Sequence, residues 1–150
     1  MTIIYVDADA CPVRDEIAKV AIRHECQVKM VCNGGIRPHQ HPLIDLAIVD
    51  DGPDAADKWI ADHAGGEDVV ITNDIPLAAR ALANGARVLR PDGSSITTDN
   101  VGGILATRDL MADLRAADPF RQSKGKPFSR ADRGHFAQAL DQLLSRRKEV

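Results

Sequence analysis

Aromatic side chains are scarce in this chain: one Trp, one Tyr and three Phe make up 3% of its 150 residues. With so few π-faces, stacking on bases cannot be a main recognition device, and only Phe120 and Phe128 lie within a basic stretch. Sequence-specific readout of a nucleic acid is therefore not expected. Cysteine is limited to Cys11, Cys26 and Cys32, with no C-x-x-C pair and no even framework. That excludes a disulfide-built secreted module and fits a reducing compartment. No apolar run approaches the roughly 20 residues of a membrane span. The N-terminus has no basic n-region before Asp7 and Asp9 interrupt its apolar run. A cytoplasmic protein without membrane contact is expected. With 44% hydrophobic residues, 150 positions suffice for one core, so a single domain over 1–150 is expected.

The net charge of −3 is a sum of unlike parts. Residues 1–100 hold 16 Asp+Glu against 9 Lys+Arg, a net of −7, and residues 101–150 hold 6 against 10, a net of +4. A basic loop and C-terminal helix at about 118–147 can face a polyanion, or can simply be solvated.

Apolar runs alternate with helical periodicity from the start, the pattern of an α/β fold with a mostly parallel sheet of about five strands. Strands are predicted at Thr2–Val6, Gln27–Val31, Leu46–Val49, Asp68–Thr72 and Arg87–Leu89. Helices are predicted over Val13–Glu25 with Pro12 at its first position, from an Asp54 cap through Trp59 and Ile60, over Pro76–Asn84, and over Val101–Ala116. The stretch from Pro91 to Asn100 reads as a connection. Residues 118–128 lack periodicity, and Ser129 with Asp132 forms a capping-box pattern before a last helix whose stripe is Phe136, Leu140 and Leu143.

In an open α/β sheet ligands bind outside the carboxyl ends of the strands, and here those places are acidic. Asp7 and Asp9 follow the first strand, Asp50 and Asp51 the third, Asp74 the fourth, and Asp99 lies beyond the fifth; Asp54 and Asp57 share a helix face. A bare carboxylate ending a buried strand, as at Asp7, is costly unless paired, hydrogen-bonded or metal-bound. Two such charges about 4 Å apart repel by roughly 4 kcal/mol at an effective dielectric near 20. Either one carboxyl is protonated or a cation is supplied. No lysine lies within the acidic turns, and hard oxygen donors suit Mg²⁺ or Mn²⁺. Simpler roles compete: Asp54 and Asp74 also suit helix caps, and Asp50 and Asp51 suit turns. Cys11, in the first turn of a helix, reads better as a small buried residue than as a thiolate. His24, Cys26, Cys32, His39 and His41 have no usual zinc spacing.

The segments VDADACP, DGPDAADKWI, VITNDIPLAARALANGA and GKPFSRADRGHFAQAL together resemble the YaiI/YqxD family of bacterial proteins. That family is similar to the PIN-like superfamily, which implies a three-layer sandwich and hydrolysis of RNA with Mg²⁺ or Mn²⁺. Carried over, the resemblance makes Asp7, Asp9 and Asp74 catalytic. The metal ligands would be Asp7, Asp9 and Asp74, with Asp54 or Asp57 as the helix-borne acid and Asp99 the nearest candidate for a fourth. The basic tail, with Arg115, Arg121, Lys124, Lys126, Arg130 and Arg133, would then hold RNA phosphates.

A second resemblance uses the same residues. A strand followed by D-x-D is similar to haloacid-dehalogenase-like phosphatases, with Asp7 as nucleophile and Asp9 as general acid. That family also needs a Ser or Thr after another strand and a lysine; here the second strand ends in Cys32-Asn33, and only Lys58 falls near the required interval. A non-catalytic nucleic-acid-binding module is the third reading.

Overall fold

The computed structural model describes residues 2–37, 39–50, 54–107 and 128–147. Six strands form one sheet: β1 (Ile3–Asp7), β2 (Gln27–Cys32), β3 (Ile44–Ile48), β4 (Val69–Ile71), β5 (Arg87–Leu89) and β6 (Ser95–Ile96). Among the described residues the helices are α1 (Arg14–Arg23), α2 (Ala55–His63), α3 (Ile75–Ala83), α4 (residues 101–107) and α5 (Arg130–Arg147), with a 3-10 turn at Ala8–Ala10. The strand order is β3-β2-β1-β4-β5-β6, with the first five strands parallel and β6 antiparallel to β5.

Alternation along β1 divides the core. Ile4 and Val6 join Ile17, Val20 and Ala21 of α1 and Phe136, Leu140 and Leu144 of α5 on one face. Tyr5 joins Ile60 of α2 and Leu77, Ala78 and Ala81 of α3 on the other, with Val101, Ile104 and Leu105 of α4 packed against them. The result is the expected α/β three-layer arrangement. Its sheet has one strand more than the five anticipated, because β6 is only two residues long and too short to show a period. A Pro91-Asp92-Gly93 turn reverses the chain before β6, with Gly93 at φ +93° donating its N–H to the Arg90 carbonyl at 2.9 Å.

Helix ends differ from expectation by a residue or two. Pro12 lies ahead of α1 rather than at its first position, since Val13 is the N-cap, and Glu25 at φ +56° follows the helix end. The buried stripe of α5 runs Phe136, Leu140, Leu144, at i, i+4, i+8, while Leu143 is only partly buried. The capping box is reciprocal: Ser129 N–H donates to Asp132 Oδ2 at 2.9 Å, and Asp132 N–H to Ser129 Oγ at 3.1 Å. The helix predicted to Ala116 is described only to residue 107, and most of the 118–128 stretch lies outside the described residues. No helix of the described residues is long and apolar enough to cross a membrane.

Candidate functional site at the β1–β4 edge

From β1 the chain builds outward through β2 and β3 on one side and β4 and β5 on the other. The adjacent carboxyl ends of β1 and β4 are therefore the topological switch point, where open α/β sheets leave a crevice. Asp7 ends β1, and Thr72, Asn73 and Asp74 follow β4. Thr72, only 2% exposed, links the two: its hydroxyl donates to Asp7 Oδ2 at 3.3 Å and accepts the Asp74 N–H at 2.9 Å. Asp74 is the N-cap of α3, its Oδ1 accepting the Leu77 N–H at 2.9 Å, so its capping role and its place in the cluster coexist.

The third carboxyl comes from α2. Trp59 stacks on His63 with centroids 3.8 Å apart and leans on Tyr5 at 5.9 Å, fastening the helix to the sheet. Two residues before Trp59, Asp57 is brought into hydrogen-bond contact with Asp74. Burial, that hydrogen bond and the charges of Asp74, Asp7 and Asp54 push the Asp57 carboxyl up to about 7. Asp7 is also raised, first by burial and then by Asp74 and Asp9, while the Thr72 hydroxyl opposes the rise. Asp57 and Asp7 are thus both biased toward their protonated forms within a group that would otherwise carry adjacent negative charges.

The other candidates lie farther out. Asp9 is exposed and its Oδ2 accepts the Asn33 N–H at 2.9 Å at the end of β2, beside Asp7 but away from the Asp57–Asp74 pair. Asp54 occupies the N-cap position of α2 without a side-chain cap bond. Asp50 is exposed, and Asp51 lies outside the described residues. Asp99 is exposed and lines a cavity beside Asn73. Cys11 precedes α1 instead of lying in its first turn, and burial pushes its thiol up to about 11, the behaviour of a buried structural residue. His24 pairs with Asp141 at 2.7 Å, and all three cysteines are buried, so these residues do not gather into a zinc site among the described residues. Among the described residues no group of three or more His, Cys, Asp or Glu forms a ready-made metal cage. Lys58 is exposed on α2.

Of the basic residues, Arg130 is exposed at the start of α5. Arg133 is tied down: it donates to the Pro12 carbonyl at 2.5 Å, approaches Glu16 at 3.5 Å and lies over the Phe128 ring at 5.2 Å. With Arg14 and Arg37 it also lines a cavity of about 450 Å³ on the α1–α5 side. Arg115, Arg121, Lys124 and Lys126 lie outside the described residues.

Residues 5–146 match the family described as "Uncharacterized BCR, YaiI/YqxD family". The chain belongs to the YaiI/YqxD family. It is 59% identical over 150 residues to a UPF0178 protein of Cereibacter sphaeroides, covering all of this chain and 93% of that one. It is also 59% identical over 145 residues to a UPF0178 protein of Ruegeria pomeroyi, covering 96% and 94%. A UPF0178 protein of Parvibaculum lavamentivorans is 53% identical over 146 residues, covering 96% and 94%. The family match spans the whole acidic edge and most of α5.

Two residues beside this edge carry no motif of their own in the sequence. Thr72 is visible only as the first letter of T-N-D, and its importance comes from being buried between two carboxyl-bearing strands. Arg90 had no motif at all; its signal was its place directly after β5, next to β4.

Proposed function

We propose that the β1–β4 edge binds a divalent cation, Mg²⁺ or Mn²⁺, and hydrolyses phosphodiester bonds in RNA. The observation that carries this reading is the convergence of Asp7 and Asp74 on the buried Thr72 hydroxyl, with Asp57 brought against Asp74. Burial, the hydrogen bond to Asp74 and the charges of Asp74, Asp7 and Asp54 push the Asp57 carboxyl up to about 7, and a cation placed there would relieve the same repulsion. The donor set fits: Asp7, Asp57 and Asp74 offer only hard oxygens, and the edge of the crevice is open to water. Because these groups are not pre-arranged as a cage, loading requires Asp57 to release its proton and the Asp57 and Asp74 carboxylates to turn toward the ion. Asp9, beside Asp7, is placed to contribute through water. When bound, such an ion lowers the pKa of a water and offsets charge on the phosphate and leaving oxygens.

The chain's own residues then have distinct tasks. Thr72 fixes Asp7 and the start of α3 relative to each other. Asp54, with no capping bond of its own, adds negative charge at the rim. The exposed Arg130 and the arginines of the α1–α5 cavity supply a sequence-independent attraction for a phosphate backbone that weakens with salt. RNA as substrate rests on the resemblance to PIN-like proteins.

The test is cleavage of a single-stranded RNA with and without Mn²⁺. Cleavage that requires Mn²⁺ and is lost in Asp7→Asn and Asp74→Asn, with circular dichroism unchanged, is expected. No cleavage by the folded wild type, or cleavage retained in both variants, would overturn the proposal. Turnover of small phosphate esters through an acyl-phosphate on Asp7 would favour the phosphatase chemistry instead.

A further inference from the structure

Beside the acidic edge lies a cavity of about 730 Å³ whose walls include Asn73, Ile75, Arg90, Asp99, Asn100 and Ile104. Its size is that of a small-molecule cleft. Asn73 and Ile75 flank Asp74 in the chain, so the cavity wall and the carboxyl cluster share the β4–α3 segment.

Arg90 is held in place from three directions. Its backbone N–H donates to the Ser94 carbonyl at 2.8 Å, its carbonyl accepts the Gly93 N–H at 2.9 Å, and its Nε donates to Asn73 Oδ1 at 3.3 Å. Its two terminal nitrogens donate to no acceptor among the described residues. The nearby Asp92 carboxylate feels the Arg90 charge but takes its hydrogen bonds from the Ser94 N–H at 2.9 Å and hydroxyl at 2.6 Å. A guanidinium anchored through Nε in the wall of a cavity, with no hydrogen bond from its terminal nitrogens among the described residues, suits bidentate capture of a phosphate. The opposite chemistry is also present. Asp99 is acceptor-only when ionised, so it repels a phosphate but accepts sugar hydroxyls, and Ile75 and Ile104 offer an apolar wall.

From these features we infer that the cavity is a ribonucleotide subsite, in which Arg90 holds the phosphate and Asp99 a ribose hydroxyl. It deepens the proposed RNA hydrolysis, since it rests on that reading for its place beside the reacting phosphate.

Calorimetric titration of the full chain with adenosine 5′-monophosphate in EDTA tests it without any cleavage. Binding is expected, weakened about 10- to 100-fold in Arg90→Gln. Gly103 also lines the cavity, and nothing lies within 4 Å of a Cβ built there, so Gly103→Leu keeps the helix and blocks the site. The 2′-deoxy nucleotide should bind more weakly than the ribonucleotide to the wild type and equally to Asp99→Ala, which has no side-chain acceptor. No heat with the wild type, or wild-type affinity in both Arg90→Gln and Gly103→Leu, would overturn the inference. Nucleotide binding without Mn²⁺-dependent cleavage would retain the subsite and sink the hydrolase. RNA cleavage by Arg90→Gln at unchanged KM would sink the subsite alone.

Discussion

Replacing Asp57 with Asn should stabilise the protein at alkaline pH and leave it unchanged in acid. An Asn amide copies the protonated carboxyl: it can donate to Asp74 and carries no charge. Moving a carboxyl from an ordinary value of about 4 to about 7 corresponds to ~4 kcal/mol at most. Asp57 is only partly buried, and screening by solvent reduces that figure to ~1–2 kcal/mol. The sign follows from proton linkage. With its native value raised, Asp57 binds more protons folded than unfolded, so its favourable contribution is complete below about pH 4 and is lost as pH rises through about 7. The variant escapes that loss. At about pH 8 its melting temperature should exceed the wild type by roughly 3–6 °C, and at about pH 4 the two should coincide. Equal stability at both pH values, or a variant less stable at the higher one, would refute the reasoning that burial and neighbouring carboxylates raise Asp57.

Two further substitutions test how the edge is built. Thr72→Val removes the hydroxyl between Asp7 and Asp74, leaving the Asp74 N–H without its acceptor. A loss of about 1–3 kcal/mol in urea unfolding is expected, together with a further rise in the Asp7 pKa by NMR titration. Gly93→Ala forces a side chain at φ +93° and sets a Cβ 2.9 Å from the His135 backbone carbon. It should cost about 1–3 kcal/mol and loosen α5; wild-type stability would contradict the assigned contact.

The layers of the fold were legible because strong periodicities carry them. The IIYV run of β1 and the amphipathic repeats of α1 and α3 state their faces directly, and the acids after β1 and β4 are adjacent in sequence to those runs. What was illegible depends on strand order. In the sequence Asp7 stands out as a carboxylate ending a buried strand, Asp74 also suits a helix cap, and Asp9 enters as the companion in VDADACP. The β1–β4 pairing places Asp7 beside Asp74, whereas the 3-10 turn sends Asp9 toward Asn33. Asp57 was one of two candidates on its helix. Only the docking of α2 through Trp59 selects it over Asp54 as the partner of Asp74. β6 and Arg90 escaped because a two-residue strand has no period and a lone arginine after a strand has no motif. The charge division between the two parts of the chain stands as composition, while the structure shows that Arg133 is partly used to fasten α5 to the segment preceding α1.

The cation site can be tested most directly by counting protons. Calorimetric titration with Mn²⁺ at about pH 6, repeated in two buffers of different ionisation enthalpy, reads the protons released on binding. With Asp57 protonated below about 7, the wild type should bind Mn²⁺ and release close to one proton, and Asp57→Asn should release none. Absence of Mn²⁺ binding, or binding with no proton released by the wild type, would contradict the assignment of Asp7, Asp57 and Asp74 as a metal site.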